Sequence, residues 1–534
     1  MQPQADPKKL ADAKKGTGTG TKSDKQSRPA INSSMSPISP ESFGYDQARH
    51  LLWRAGFGGT PQQIQLLSSW GPERAVDYLV NYERAPTESV KGDLFDKDIM
   101  RPPTPDEQRA IAEARRSRDE EKLAELQRTR QQRERRDRVQ VGEMQKWWLK
   151  RMIETGRPLE EKMTLFWHGH FATNYRTIEN SYHMFLQNQL FRANAAGNFG
   201  ALLHSIIKDP AMIAYLDNND SKKGKANENL AREIMELFSL GIGSYTEKDI
   251  KEGARALTGY TFEDDKFIFR KNNHDDGQKN ILGKAGNWTG EDFVRIILDQ
   301  PAVAPYITRK LYHFFVSELP PLERAQDQTL DPAIRGAMRD LTGVMSKGKY
   351  ELRPVLRRLF LSEHFYSPAF MNEQIKGPVQ LVVGAVRSLN TPVRDLSILN
   401  DALDLMGQNL MYPPSVKGWD GGRSWINTST LYVRQNLMAF LLTGKRPVGY
   451  DPSAETDRYD PTSLLSELLA ADKEAARDPD KVVDYLLKLT LGRTPGHTRE
   501  PLLKFLADNG NQTSPDHVRG LLLLITAMPE FQLC

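Results

Sequence analysis

The sequence predicts a mainly α protein: a multi-helical globular core with a small β-hairpin, a long charged helix and a disordered N-terminal tail. Three observations lead there. Apolar residues recur at helical spacing through most of the chain after residue 45, several of those stretches open on Thr or Pro start signals, and one stretch alone reads as a hairpin. With 534 residues, 39% hydrophobic and 27% charged, the chain exceeds one ordinary core and has the surface of a soluble protein.

Residues 1–40 are rich in Lys, Gly, Ser, Thr and Pro and nearly lack large apolar side chains. Such a tail buries too little surface to offset its ordering entropy and is expected to be disordered. Residues 41–104 form an N-terminal helical part of the core. Here YDQARHLLWRAGFGGTP supplies a helix from Tyr45, Gly56 a stop, and Thr60–Pro61 the N-cap and first position of the next helix. Residues 105–143 read as a long charged helix or helical hairpin, solvated and supported by Glu/Arg pairs four apart, with a sparse seam at Ile111, Leu123 and Leu126.

The main helical core spans 144–444. Pro158 opens PLEEKMTLFW; Thr246 with Asp249, and Thr289 with Asp292, open two further helices. Between the last two, FIFR and KNIL flank NNHDDGQ, which predicts a hairpin near 262–283. ITRKLYHFFVSEL, ELRPVLRRLFL and KGPVQLVVGAVRSL return to helical spacing. Residues 406–430, MGQNLMYPPSVKGWDGGRSWINTST, hold too much Pro, Gly and Asn for a long helix, yet carry three large aromatics. Aromatics in a structured loop plug a core or line a ligand site. Residues 445–534 read as a Pro/Gly/Asp-rich linker and a C-terminal helical segment.

Composition narrows the function classes. A net charge of +4 argues against a strongly electrostatic nucleic-acid binder. The only cysteine is Cys534, so no disulfide within the chain and no thiolate metal cluster can form; a metal would need His, Asp, Glu or carbonyl ligands. No apolar run is long enough to span a bilayer, and the amino-terminal stretch has no apolar signal region, so the default expectation is a cytoplasmic protein. There is no GxSxG elbow, no GxxxxGK[ST] loop, and no GxGxxG between a strand and a helix.

The stretch FWHGHFATN (166–174) places His168 and His170 two apart. On a helix, residues two apart point about 200° away from each other, but in an extended segment they share a face. Gly169 weakens helix between them, so the helix from Pro158 is expected to end near His168. That leaves the pair usable as metal ligands. In NENLAREIMELF, Asn227 falls inside the apolar stripe and Glu233 at its edge. One reading gathers His168, His170 and Glu233, with His274 or Asp275 from the hairpin turn, around a divalent ion that activates water. The other has two hydrogen-bonded core histidines, Glu233 bridged to Arg176 or Arg54, and turn chemistry at His274–Asp275. The spacing matches no zinc signature, which favours packing. In the aromatic loop, Trp419 and Trp425, with Tyr412, could stack on a sugar-like ligand while Lys417, Arg423 and Asn427 supply hydrogen bonds. The alternative makes both tryptophans buried plugs.

HLLWRAGFG, EKMTLFWHGHFATN, DPAMIAYLDNND, NENLAREIMELFSLGIGSYTEKDI, ALTGYTF, HDDGQKNILG and PSVKGWDGGRSWINTST follow one another in order. Through them the chain resembles the bacterial domain of unknown function 1800 family from about Tyr45 to Leu442, with the charged helix and the C-terminal segment less distinctive. The family has no established biochemical activity. Its members often lie beside genes for an exported, sulfatase-like protein family, which implies a partnership. The leading expectation is therefore an interaction or scaffold partner of another protein. The alternatives are a metal-dependent hydrolase using His168, His170 and Glu233, and a polar or carbohydrate binder using the 412–430 loop.

Overall fold

The computed structural model describes residues 29–86, 95–320, 329–450, 459–472 and 474–534. The chain opens with α1 (Tyr45–Arg54) and α2 (Pro61–Val80). Thr60 caps α2 as expected: its hydroxyl accepts from the Gln63 N–H, and Pro61 occupies the first position. The charged segment is a hairpin of α3 (Pro105–Ser117) and α4 (Glu120–Glu154) rather than one continuous helix. Arg118 adopts a left-handed φ of 54°, and Asp119 restarts the chain by accepting from the Lys122 N–H. Arg133, midway along α4, donates to the Ile99 carbonyl, which puts the entry to α3 beside the middle of α4.

The core continues through α5 (Pro158–His170), α6 (Tyr175–Ile178), α7 (Ser181–Ala193), α8 (Phe199–Ile206), α9 (Pro210–Tyr215), α10 (Asn229–Glu236) and α11 (Glu247–Ala256). Two hairpins follow where the sequence predicts one. FIFR pairs backwards: β1 (Tyr260–Glu263) runs antiparallel to β2 (Lys266–Phe269), with Glu263 opposite Lys266. KNIL pairs forwards: β3 (Lys279–Ile281) runs antiparallel to β4 (Lys284–Gly286), with Ile281 opposite Lys284. The deciding feature is turn chemistry. Leu282 and Gly283 both take positive φ, 49° and 80°, which gives the tight two-residue turn that suits strand twist. The seven-residue NNHDDGQ stretch instead links the two hairpins.

Next come α12 (Gly290–Leu298), α13 (Val303–Phe315), α14 (Pro332–Lys347), α15 (Leu352–Leu361), α16 (Pro378–Leu389), α17 (Leu396–Leu405) and α18 (Thr428–Thr443). The C-terminal helices are α19 (Ser466–Ala471), α20 (Pro479–Leu491), α21 (Gly496–Asp508) and α22 (Pro515–Thr526). Leu51, Trp148, Trp167, Phe238, Leu486 and Leu522 belong to one hydrophobic cluster, so α20 and α22 share the core of the preceding helices. Among the described residues no helix is long and apolar enough to cross a membrane. The expected tail lies outside the described residues as far as 28, as does 451–458 of the expected linker. Residues 32–38, also assigned to that tail, lie along the segment after α15. The Ile38 N–H donates to the Leu361 carbonyl at 2.8 Å and the His364 N–H to the Ser34 carbonyl at 2.9 Å, while Met35 and Ile38 are buried.

Arginines close several helix C-termini, where the last carbonyls lack intrahelical partners. Arg49 donates to the Leu489 and Thr490 carbonyls ending α20. Arg54 donates to Val316 at the end of α13, to the Phe370 carbonyl and to Gln374 Oε1. Arg387 reaches Ile153 and Thr155 at the end of α4, and Arg394 reaches Leu441 in the last turn of α18. Burial pushes Arg49 and Arg387 down to about 10, so both stay cationic at neutral pH.

The Arg54→Ala protein is expected to lose about 3 kcal/mol or more of unfolding free energy, because two buried carbonyls and the partly buried Gln374 amide lose their charged donor at once. Urea unfolding measures this. A loss below about 1 kcal/mol would mean that those acceptors find other partners.

Candidate functional site

Three of the quoted motifs meet where the 406–430 loop lies across the end of α5. That helix runs unbroken through Gly169 to His170, past the end expected near His168. His168 and His170 consequently point to different neighbours and do not form a ligand pair. The glycine serves the loop rather than ending the helix. A Cβ on Gly418, at φ +79°, would overlap the Gly169 carbonyl, and a Cβ on Gly169 would stand 3.8 Å from the Trp419 ring.

His168 is buried, and its Nε2 accepts from the Met411 N–H at 3.1 Å. Its ring packs against Trp148 and Trp419 at centroid distances of 5.3 and 5.5 Å. His170 donates from Nε2 to the Phe238 carbonyl at 3.1 Å, just beyond α10, and lies 6.5 Å from the Tyr306 ring. Burial pushes both histidines down to about 3, helped at His170 by the nearby Lys310 charge. Both are neutral imidazoles that tie α5 to other segments.

Glu233 is half-buried near Glu236, Arg232 and Lys417, not bridged to Arg176 or Arg54. Burial and the neighbouring Glu236 carboxylate raise its pKa, against the opposing pull of Arg232 and Lys417. Asn227 precedes α10 instead of joining its apolar stripe. Its Oδ1 accepts from the Asn229 N–H and its Nδ2 donates to the Asp217 carbonyl, so it shapes the turn into the helix. His274 donates from Nδ1 to the Thr258 carbonyl at 2.9 Å, and Asp275 accepts from Arg255 Nε at 2.8 Å. The Arg255 guanidinium holds Asp275 down to about 2. Both residues thus secure the link between the hairpins to α11. Among the described residues no group of three or more His, Cys, Asp or Glu side chains could hold a metal ion.

In the loop, roles divide by position. Trp425 is buried, and the carbonyl of the same residue accepts from the Thr430 hydroxyl. Asn427 is the N-cap of α18, accepting from the Thr430 N–H at 2.9 Å. Trp425 is thus engaged in packing, and Asn427 Oδ1 in capping. Trp419 is half-buried and its indole N–H finds no acceptor among the described residues, while Lys417 and Arg423 are exposed. Tyr412 faces another neighbourhood, with Tyr175 at 5.5 Å and the Arg176 guanidinium 5.7 Å above its ring.

A family model described as Protein of unknown function (DUF1800) matches residues 50–533. The chain belongs to this family. The match takes in α19 to α22, beyond the stretch that the motifs mark out. No curated protein and no solved structure matches the chain.

One residue of this DUF1800 chain escapes sequence reading. Lys310 on α13 is half-buried, its ammonium 5.5 Å from the Tyr306 ring centre, and no carboxylate pairs with it among the described residues. Burial, then Arg309 and Lys417, push it below the ordinary lysine range. Tyr306 in turn donates to the Leu237 carbonyl at 2.5 Å, which ties α13 to α10. A signal existed: the positions three and four away from Lys310 are Tyr306, Ile307, His313 and Phe314, none of them acidic. Lys417 lies near both Lys310 and Glu233 and is the residue common to the two surroundings.

Gly418→Ala is expected to unseat the loop from α5, since its Cβ would meet the Gly169 carbonyl; the measurement is a red shift in tryptophan emission with increased quencher access at Trp419. The histidines predict a pH dependence. Neutral in the fold down to about 3, each takes up a proton near its ordinary 6.5 once unfolded. Stability therefore falls as pH drops below 6.5, by up to about 1.4 kcal/mol per pH unit for each histidine. Thermal unfolding of His168→Gln between neutral and acidic pH should show a shallower decline than the parent.

Proposed function

We propose that this DUF1800 protein acts as a binding component that engages a partner protein, with Lys310 and Lys417 receiving an acidic group of that partner. The observation that carries this reading is the half-buried Lys310 ammonium with no carboxylate paired to it among the described residues. A cation kept partly out of water beside other cations is disfavoured by desolvation and by repulsion. Such an arrangement is most readily relieved when an external anion supplies the missing charge, and strained titratable groups of this kind concentrate at functional sites. The sulfatase-like protein implied by the family resemblance is the partner to try first.

A metal-dependent hydrolase at His168, His170 and Glu233 has less support, because the two histidine rings are spent on Met411 and Phe238. A carbohydrate reading of the loop has less support, because Trp425 is buried and only Trp419 of the two tryptophans is partly open to a ligand.

The test is co-purification of the full chain with the sulfatase-like protein at gentle salt, comparing the parent with Lys310→Ala and Lys417→Ala. The variants should retain the parental circular dichroism and lose complex by about tenfold or more. Equal complex formation by parent and both variants would overturn the reading.

A further inference from the structure

The chain ahead of α1 is held in the manner of a bound peptide. Residues 32–38, NSSMSPI, carry no charge and run along the segment that follows α15, with Pro37 bridged antiparallel to Ser362. The Glu363 and His364 amides donate to the Ser36 and Ser34 carbonyls, each at 2.9 Å, and the Leu361 carbonyl accepts from the Ile38 N–H at 2.8 Å. Met35 and Ile38, three residues apart, are buried, whereas Asn32, Ser33, Ser36 and Pro37 are exposed. Main-chain bonds set the register and two apolar side chains set the selectivity, as when a peptide is recognised by strand addition.

The receiving surface holds a donor prepared for that main chain. The Asn32 carbonyl can only accept, so His364 Nδ1 carries the proton of their 2.6 Å bond. His364 Nε2 then accepts from the Tyr312 hydroxyl at 2.7 Å, which fixes the tautomer of the ring. Both side chains are fully buried, and burial pushes the imidazole below its ordinary pKa. Buried Ser367 completes the site, its Oγ accepting from the Asn32 N–H at 2.7 Å.

The occupant is tied less firmly than its receiver. Its Ser34 and Ser36 amides bond within the segment, to Asn32 Oδ1 and Ser34 Oγ, and need nothing from the body. Four exposed residues, Ser39 to Ser42, separate Ile38 from the next buried side chain, Phe43. Two buried side chains in seven residues offset little of the ordering entropy, which puts such a segment among the first to open.

We propose that residues 361–367 with Tyr312 form a peptide-binding groove, and that residues 32–38 are its tethered, displaceable occupant. The partner that takes their place is a protein presenting a neutral, extended segment with two apolar side chains three residues apart. The groove reads main chain and apolar side chains, so this inference is independent of the charge-based reading of Lys310.

The probe is a dye-labelled peptide of residues 31–39, INSSMSPIS, followed by fluorescence anisotropy. It is titrated into the full chain and into the Met35→Ser/Ile38→Ser double variant, whose own segment is weakened. Saturable binding to the variant is expected, with the parent about tenfold or more weaker because the tethered copy competes. A peptide with both apolar residues replaced by serine should not bind. Hydrogen exchange of the parent gives a second measure: the Ile38, Glu363 and His364 amides should exchange together, and faster than those within α5. Four results would each overturn the inference: no saturable binding to the variant up to about 1 mM, equal binding to variant and parent, loss of the parental circular dichroism in the variant, or exchange of those amides only through global unfolding.

Discussion

Several helix C-termini inside the fold end on arginines, and the joining of distant parts of the chain depends on those contacts. A helix leaves its last carbonyls unpaired and concentrates negative potential there. On the surface water meets that need; in the interior a guanidinium does so with several donors in one plane. Arg49, Arg54 and Arg394 are all buried, and each joins a helix end to another element of the fold. The same contacts solve a second problem, because the carbonyl dipoles offset part of the desolvation of the buried charge. Helix ends and buried cations are each unfavourable alone and compatible together.

This explains which features were legible in the sequence. N-terminal signals are local, and Thr60, Thr246 and Thr289 all cap the helices expected of them, each with its side chain accepting from the third residue on. C-terminal closures by Arg49 or Arg387 were not legible, because the carbonyls they meet lie hundreds of residues away. The hairpins show the same contrast. The strand segments were visible from their composition, but their pairing was set by Leu282–Gly283 and by the turn at Asp264, which a sequence scan weighs less than a Gly-containing loop.

The candidate site was partly legible for a similar reason. FWHGHFATN, NLAREIMELF and the aromatic loop do come together, through the bond of Met411 to His168 and of His170 to Phe238. Their division of labour was not visible. Gly169 suggests a helix end, yet it is a landing place for Gly418, a fact that belongs to the tertiary fold. Trp425 and Asn427 resemble ligand contacts because a loop sequence does not say which side chains face inward. Lys310 stays hidden because a lysine within an amphipathic helix reads as solvated unless the absence of acidic neighbours is checked.

The contact of residues 32–38 with the segment after α15 bears on the order in which the chain can assemble. Met35 and Ile38 bury themselves against residues made more than 300 positions later, and Arg49 needs carbonyls near residue 490. At about 5–20 residues per second, a ribosome takes roughly 20–90 seconds to cover that distance. During that interval the amino-terminal segment stays undocked, with its apolar residues open to chaperones and its arginines in water. Contacts of such long sequence separation also slow folding from the denatured state. Closure of the amino-terminal segment is therefore a late step in biogenesis, and the nascent chain is most vulnerable to proteolysis and aggregation before it occurs.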